Sequence, residues 1–250
     1  MSEAAPVPAD SPPPPGRGAS ALRWVVEWTK SIAVALVIWF GVRTFLVEAF
    51  RIPSGSMQNT LLVGDFLFVN KLLYGAEVPL TGGVRLPPVR EPMHSDIVVF
   101  DAVDGSDIKV VKRLIGLPGD TLAMRDGELI RNGVKIEEPY AVHDRSRADT
   151  DPMVRARMRN WQLPHFAGPV PTRYAPDLDN WGPVVVPPES LFVMGDNRDD
   201  SYDGRYWGFL PRINLRGRPL LVYFSYDQRS YRSLAFLREV RWKRLFTAPN

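Results

Sequence analysis

The longest uninterrupted apolar block lies near the N-terminus. Residues 24–50 read WVVEWTKSIAVALVIWFGVRTFLVEAF: free of charge from Ser31 to Val42, then apolar again from Thr44 to Val47. That is about 17 residues broken once by Arg43, near the lower limit for a helix that crosses a bilayer. The block is apolar on every face, so it predicts a transmembrane helix. Near one end, Arg43 can reach the interface with its long side chain, and Trp24, Trp28 and Trp39 suit interfacial positions. A buried helix of a soluble protein and a cleaved export signal are the competing readings. A disordered tail precedes the block, and no small-x-small cleavage site follows it, so an uncleaved anchor is preferred.

Behind the anchor the pattern changes to short alternating runs. Residues 64–72 (GDFLFVNKL), 95–102 (SDIVVFDA) and 108–116 (IKVVKRLIG) are β-branched and aromatic and bounded by Gly, Pro and Asp, which predicts strands. LPGD at 117–120 places Pro and Gly where a type II turn uses them. The DG and NG dipeptides within residues 121–136 predict successive hairpins. Residues 137–188 carry many Pro, Arg and Trp with weak periodicity and read as irregular. Residues 190–197 (SLFVMGDN) and 218–226 (RPLLVYFSY) restore the strand pattern. Residues 231–246 could form a basic helix, either resting on anionic lipid or packed on the body; the second reading is preferred. The fold class is therefore mainly β with one preceding helix. The expected division is a disordered cytoplasmic tail (1–23), the anchor (24–50), a first core segment (51–125), an inserted smaller β-rich subdomain (126–188), a second core segment (189–228) and a basic C-terminal segment (229–250).

Composition narrows the chemistry. The 250 residues carry a net charge of +3, too little for a nucleic-acid-binding field, and no nucleic-acid partner is expected. The absence of cysteine excludes disulfides, thiolate zinc sites and a cysteine nucleophile. No GxGxxG follows a strand and no HExxH occurs, so neither a cofactor nor a metal is expected. The tail is rich in Pro, Ala and Ser and cannot bury a core. Positive charge is nearly balanced across the anchor and mildly favours an inside N-terminus with an outside body.

PSGSM at 53–57 presents two serines around a glycine, which permits a sharp turn close to a substrate. A serine hydroxyl needs a base within hydrogen-bond reach. His94, His143 and His165 are the available histidines, and none sits where a strand end would aim it at a serine. Lysine is the other choice, provided its pKa falls from about 10.4 toward about 7–8. Burial among apolar groups lowers it. Lys112 stands among Val110, Val111, Leu114 and Ile115; the alternative is an edge-strand lysine that reaches solvent. Because a strand alternates sides, Lys112 and Arg113 are expected to face opposite ways, one buried and one wet.

PSGSM, GDFLFVNKL, SDIVVF, KRLIGLPGD and GDNRDDSYDGRYWGFLP (195–211) follow in this order behind an anchor. Together they closely resemble the bacterial type I signal peptidases over about half the chain. The resemblance implies a signal-peptidase/SOS-repressor-like β core and a Ser-Lys mechanism. By it, Ser56 is the nucleophile, Lys112 the general base and Ser54 a side-chain donor to the oxyanion. Ser201 orients the lysine, and Asp203 with Arg205 braces the loop. Asp196, Arg198, Asp199 and Asp200 either support the site or form a plain charged turn. Ile52, Pro53, Met57, Leu61, Leu67, Val99 and Val111 are candidates for shallow substrate pockets, although each could simply be core. The implied setting is the bacterial inner membrane with the catalytic body on the outer side. The partners are signal-peptide-bearing preproteins, membrane lipid and the export machinery. Two departures stand out: Asn59 where the family often has proline, and Ser95 where it usually has glycine. A self-cleaving repressor and a non-catalytic envelope module that binds exported peptides are the alternatives. The anchor and the lack of a DNA-binding segment argue against the first.

Overall fold

The computed structural model describes residues 17–78, 81, 83–143, 151–230 and 234–249. Helix α1 spans Arg17–Gly41 and runs into a π-helical turn, Val42–Leu46. Residues 1–16 of the expected tail lie outside the described residues, while residues 17–23 are helical. Within α1 and this turn, Arg23–Leu46 is long and apolar enough to cross a membrane. Its large apolar side chains are exposed, Val37 by 72% and Phe40 by 60%. The Arg43 guanidinium lies 5.4 Å from the Trp39 ring. The chain divides into two compact units, Met1–Arg43 and Thr44–Asn250.

The helix does not continue to residue 50. Val47–Arg51 forms strand β1, because its backbone pairs antiparallel with β2, Asp65–Asn70, from Val47↔Asn70 to Arg51↔Phe66. The remaining strands are β3 (Ile97–Asp101), β4 (Lys109–Gly116), β5 (Thr121–Arg125), β6 (Glu128–Arg131), β7 (Val134–Lys135), β8 (Trp181–Val185), β9 (Ser190–Met194), β10 (Leu210–Pro211) and β11 (Leu215–Ser225). Seven of them form one sheet in the order β1-β2-β11-β3-β4-β9-β10, and the other four form a second in the order β7-β6-β5-β8. The mainly β body expected from the alternation is what the structure shows.

Turn chemistry follows the local sequence closely. Asp120 N–H donates to the Leu117 carbonyl at 3.0 Å with Gly119 at φ 88°, the geometry of a type II turn. Both hairpin turns of the second sheet, Asp126-Gly127 and Asn132-Gly133, have positive φ at both residues, as a type I′ turn requires. One core cluster joins the two sheets: Ile115, Phe192 and Met194 pack with Leu122, Met124, Trp181 and Val184.

Strand β4 lies between β3 and β9, and its last six residues are all buried. This corrects the expectation that one of Lys112 and Arg113 stays wet. Both are 3% exposed, because the segments following β1 and β9 cover the face that would otherwise meet water.

Two regions depart from the sequence pattern. Residues 137–188 contain helix α2, Pro152–Gln162, started by Asp151, whose carboxylate accepts Met153 N–H, and by Pro152 at the first turn. The 231–246 segment is not one helix: residues 231–233 lie outside the described residues, Leu234 is left-handed (φ 58°), and only Ala235–Arg238 and Trp242–Arg244 are helical. Its arginines turn inward. Arg244 pairs with Asp65, which is fully buried, and donates to the Thr60 carbonyl at 2.9 Å, while Arg241 donates to the Val63 carbonyl at 2.9 Å. A buried carboxylate needs such partners, and the C-terminus supplies one.

Candidate active site

The turn after β1 carries the two serines. Ile52 N–H donates to Asp65 O at 2.9 Å, extending the β1–β2 ladder by one residue before the chain turns. Gln58 N–H donates to Gly55 O at 2.9 Å and Leu61 N–H to Met57 O at 2.8 Å, so residues 55–61 form successive tight turns. Ser54 is exposed and Ser56 half-buried. Gly55 does not take a left-handed conformation; Asn59 does, at φ 92°, with its side-chain amide donating to Tyr140 O at 3.2 Å.

A second segment, leaving β9, closes against this turn. Asn197 N–H donates to Ser56 O at 3.1 Å and its side-chain amide to Gly55 O at 3.2 Å. Gly195 lies at the meeting point. A Cβ built on it would collide with Ser201 Oγ and stand 2.5 Å from the Ser56 carbonyl oxygen. The β4–β9 register pairs Arg113 with Met194. One further step of that register brings Lys112 opposite Gly195. Ser56, Ser201 and Lys112, distant in sequence, are thus gathered around one glycine that has no side chain to keep them apart.

Lys112 sits on an interior strand with little access to water. Burial is the main cause that pulls its pKa down from 10.5 to about 8; the Asp203 carboxylate opposes that and the Arg205 guanidinium assists it. Ser201 Oγ is buried and makes no hydrogen bond among the described residues. It lies against Gly195, with its hydroxyl free to orient.

Asp203 and Arg205 form a buried ion pair. Arg205 Nε donates to Asp203 Oδ1 at 2.9 Å, and the residues are 1% and 0% exposed. Asp203 also accepts Gly195 N–H at 2.9 Å and caps helix α3, Gly204–Trp207, through Arg205 N–H. Burial alone would raise its carboxyl pKa, but Arg205, Lys112 and Gly195 N–H hold it below the ordinary carboxylate value. The pair therefore stays charged and fixes the Gly195 segment beside the lysine.

Asp196 and Arg198 prove to be buried supports of the loop. Arg113 Nε and Nη2 donate to the two Asp196 oxygens at 2.8 and 2.7 Å, and Thr60 Oγ1 donates to Oδ2 at 2.5 Å. The Arg113 guanidinium also lies 3.8 Å from the Tyr140 ring centre. Arg198 grips Glu138 with two 2.7 Å bonds and donates to Gly195 O at 3.1 Å. Asp199 is half-buried and Asp200 exposed. Sequence reasoning did not single out Arg113, Glu138 or Asn197. The available signal was a buried-strand arginine beside a lysine, which demands an acidic partner somewhere in the fold.

Of the pocket candidates, Ile52, Met57, Leu61, Leu67, Val99 and Val111 pack in one core cluster with Val69, Ile97 and Val222, and Pro53 is exposed. Leu61, Leu67 and Val99 are completely buried, so they support the floor of the turn. Among the histidines, His94 Nε2 is paired with Asp120 Oδ2 at 2.6 Å and His165 packs edge-on against Phe209.

Comparison with known proteins places the chain in a family. The profile of the family described as "Signal peptidase, peptidase S26" matches residues 25–224. The chain is 34% identical to "Signal peptidase I" of Pseudomonas aeruginosa over 224 residues, covering 81% of this chain and 73% of that one. It is 33% identical to "Probable signal peptidase I-2" of Synechocystis sp. over 204 residues, covering 80% and 73%. Identity to "Signal peptidase I" of Bacillus licheniformis is 35% over 203 residues, covering 81% and 90%. The match over residues 25–224 and the identity to these relatives lead to one assignment: this chain belongs to the signal peptidase, peptidase S26, family, and is a peptidase.

Proposed function

We propose that the protein is a membrane-anchored serine endopeptidase that removes signal peptides from exported preproteins, with Ser56 as nucleophile and Lys112 as general base. The observation that carries this reading is an amine, 3% exposed and held near pKa 8, that falls by strand register opposite a glycine packed against the Ser56 carbonyl and the Ser201 hydroxyl. Near neutral pH a useful fraction of that amine is uncharged and able to accept a proton. The relatives named signal peptidase I support the substrate class, and α1 supplies the anchor. The N-terminus lies in the cytoplasm and the catalytic body on the outer side of the inner membrane.

Ser56 Oγ attacks the scissile carbonyl carbon and gives its proton to Lys112 Nζ. The oxyanion accepts hydrogen bonds from Ser54 Oγ and Ser56 N–H; one such donor typically contributes about 2.7–4 kcal/mol. The C–N bond then breaks, the proton passes from Lys112 to the departing amine, and an acyl ester remains on Ser56. Water next gives a proton to Lys112 as its oxygen attacks the ester carbonyl. Collapse breaks the ester C–O bond, and the proton returns to Ser56 Oγ. Ser201 Oγ orients the lysine amine when substrate arrives, a role that its buried hydroxyl, without a hydrogen-bond partner among the described residues, supports.

The test is cleavage of a preprotein by the full chain reconstituted in lipid. Ser56→Ala and Lys112→Met are expected to lose at least a thousandfold in rate while keeping wild-type circular dichroism. Activity retained in folded Lys112→Met would remove the proposed base, and activity retained in Ser56→Ala the nucleophile.

A further inference from the structure

His143, Asp179 and Asp199 come from three separate segments, and each offers a ligand atom within 4.8 Å of the other two. His143 follows Val142, which is held between β9's exit segment by Val142 N–H to Asp196 O at 2.7 Å and Arg198 N–H to Val142 O at 2.9 Å. Asp179 sits in the turn before β8, and its carbonyl accepts Gly127 N–H at 3.1 Å. Asp199 follows Arg198 in the turn of residues 198–200. Gly127 floors the cluster: a Cβ there would stand 3.5 Å from Asp179 Oδ1 and 3.6 Å from His143 Cε1. Among the described residues, neither the His143 ring nor the Asp179 carboxylate makes a hydrogen bond or ion pair. His143 and Asp179 converge on Asp199, which also has a further interaction of its own.

We infer that His143, Asp179 and Asp199 form a binding site for a first-row divalent transition-metal ion, with zinc as the best match. One imidazole and two carboxylates are an N/O donor set that zinc accepts at about 2.0–2.2 Å. Such bonds place ligand atoms roughly 3.3 Å apart in a tetrahedral site, so the three groups, now within 4.8 Å of one another, would close in on the ion. The imidazole disfavours magnesium and calcium, which take oxygen ligands. Three protein ligands leave a coordination position for water. None of the three ligands is given a part in the proposed proton transfer. Its consequence is mechanical. The ion would tie the hairpin turn of the second sheet, through Asp179, to the 198–200 turn. That turn is joined to Gly195 by the Arg198 Nε bond to Gly195 O and to Arg205 by the Arg205 Nη2 bond to Arg198 O. Metal occupancy is thus expected to rigidify the segment that carries Gly195 and Ser201.

The experiment uses the full chain in detergent micelles, stripped with a chelator and dialysed. Calorimetric titration with zinc chloride is expected to give one ion per chain and to raise the melting temperature, whereas calcium gives neither. His143→Ala and Asp179→Asn change exposed side chains and are expected to keep the wild-type circular dichroism, while each weakens zinc binding at least tenfold and loses the melting shift. Cobalt in place of zinc is expected to give a d–d absorption band in wild type and not in His143→Ala. Absence of saturable zinc binding would overturn the site. So would equal zinc affinity in wild type and both variants, which would place the ion at another group such as His94 or His165.

Discussion

An ammonium taken from water into the centre of a sheet loses hydration that the sheet does not return, and Lys112 carries that cost. Its folded pKa of about 8 lies below the unfolded value of 10.5. Below pH 8 both states hold the proton, and the whole penalty, about 3 kcal/mol, weighs on folding. Between pH 8 and 10.5 the unfolded chain binds more protons than the folded one, so stability rises with pH; above 10.5 the penalty is gone. Lys112→Met is therefore expected to melt at a higher temperature than wild type at pH 7, with the advantage shrinking toward pH 10.5. Thermal melts at the two pH values decide it, and an equal advantage at both would contradict the account. The same amine must be neutral to act as a base, so wild-type cleavage is expected to increase as pH rises through about 8. At Asn59 backbone geometry governs instead. A φ of 92° is outside the range open to proline, so Asn59→Pro is expected to destabilise the chain by more than about 1 kcal/mol. Denaturant melts measure this directly, and an unchanged midpoint would contradict it.

At the scale of elements, the junction where β9 leaves the sheet decides whether the site assembles. Gly195 accommodates the Ser56 carbonyl and the Ser201 hydroxyl at distances no Cβ tolerates, and its N–H is held by Asp203. Gly195→Ala is expected to cost about 1–3 kcal/mol by overpacking and to lower kcat far more than it raises KM. Equilibrium unfolding together with steady-state cleavage separates the two effects; wild-type kcat in the folded variant would show that the close approach at Gly195 does not matter. Strand β4 is the other decisive element. Its burial on both faces forces Arg113 to find Asp196, and that ion pair fastens the Ser56 turn through Thr60. A strand that supplied a lysine alone would leave the turn without this support.

The whole Thr44–Asn250 unit is held shut by long-range polar ties as well as by its cores. Asp65, at the start of β2, accepts Leu62 N–H and Ser225 Oγ–H and pairs with Arg244 from the last residues of the described chain. Arg244→Ala removes a charged partner from a buried carboxylate, so a loss of about 2–3 kcal/mol is expected. Urea denaturation of the purified protein tests it; a loss below about 0.5 kcal/mol would show that the C-terminal tie is dispensable.

Much of this molecule is determined locally. The apolar block, the alternation in β2, β3 and β4, the LPGD turn and the DG and NG hairpins each follow from interactions between neighbours in sequence, so the mainly β class and the preceding helix were legible there. Motif order was enough to select Ser56, Lys112, Ser201, Asp203 and Arg205 as candidates. Pairing partners were not legible. Val47–Arg51 continues the apolar block yet becomes a strand, because β2 is present to accept its backbone. Residues 231–246 have a helical pattern yet break, because Asp65 and the Val63 carbonyl draw their arginines inward. Helix α2 lies in a stretch whose periodicity is weak, and its buried Met158 and Gln162 find their places only in the tertiary fold. Solvation and charge pairing are properties of a neighbourhood assembled from distant segments. The sequence by itself could nominate a lysine; only the tertiary structure decided that its amine would be dry, and which charges would stand beside it.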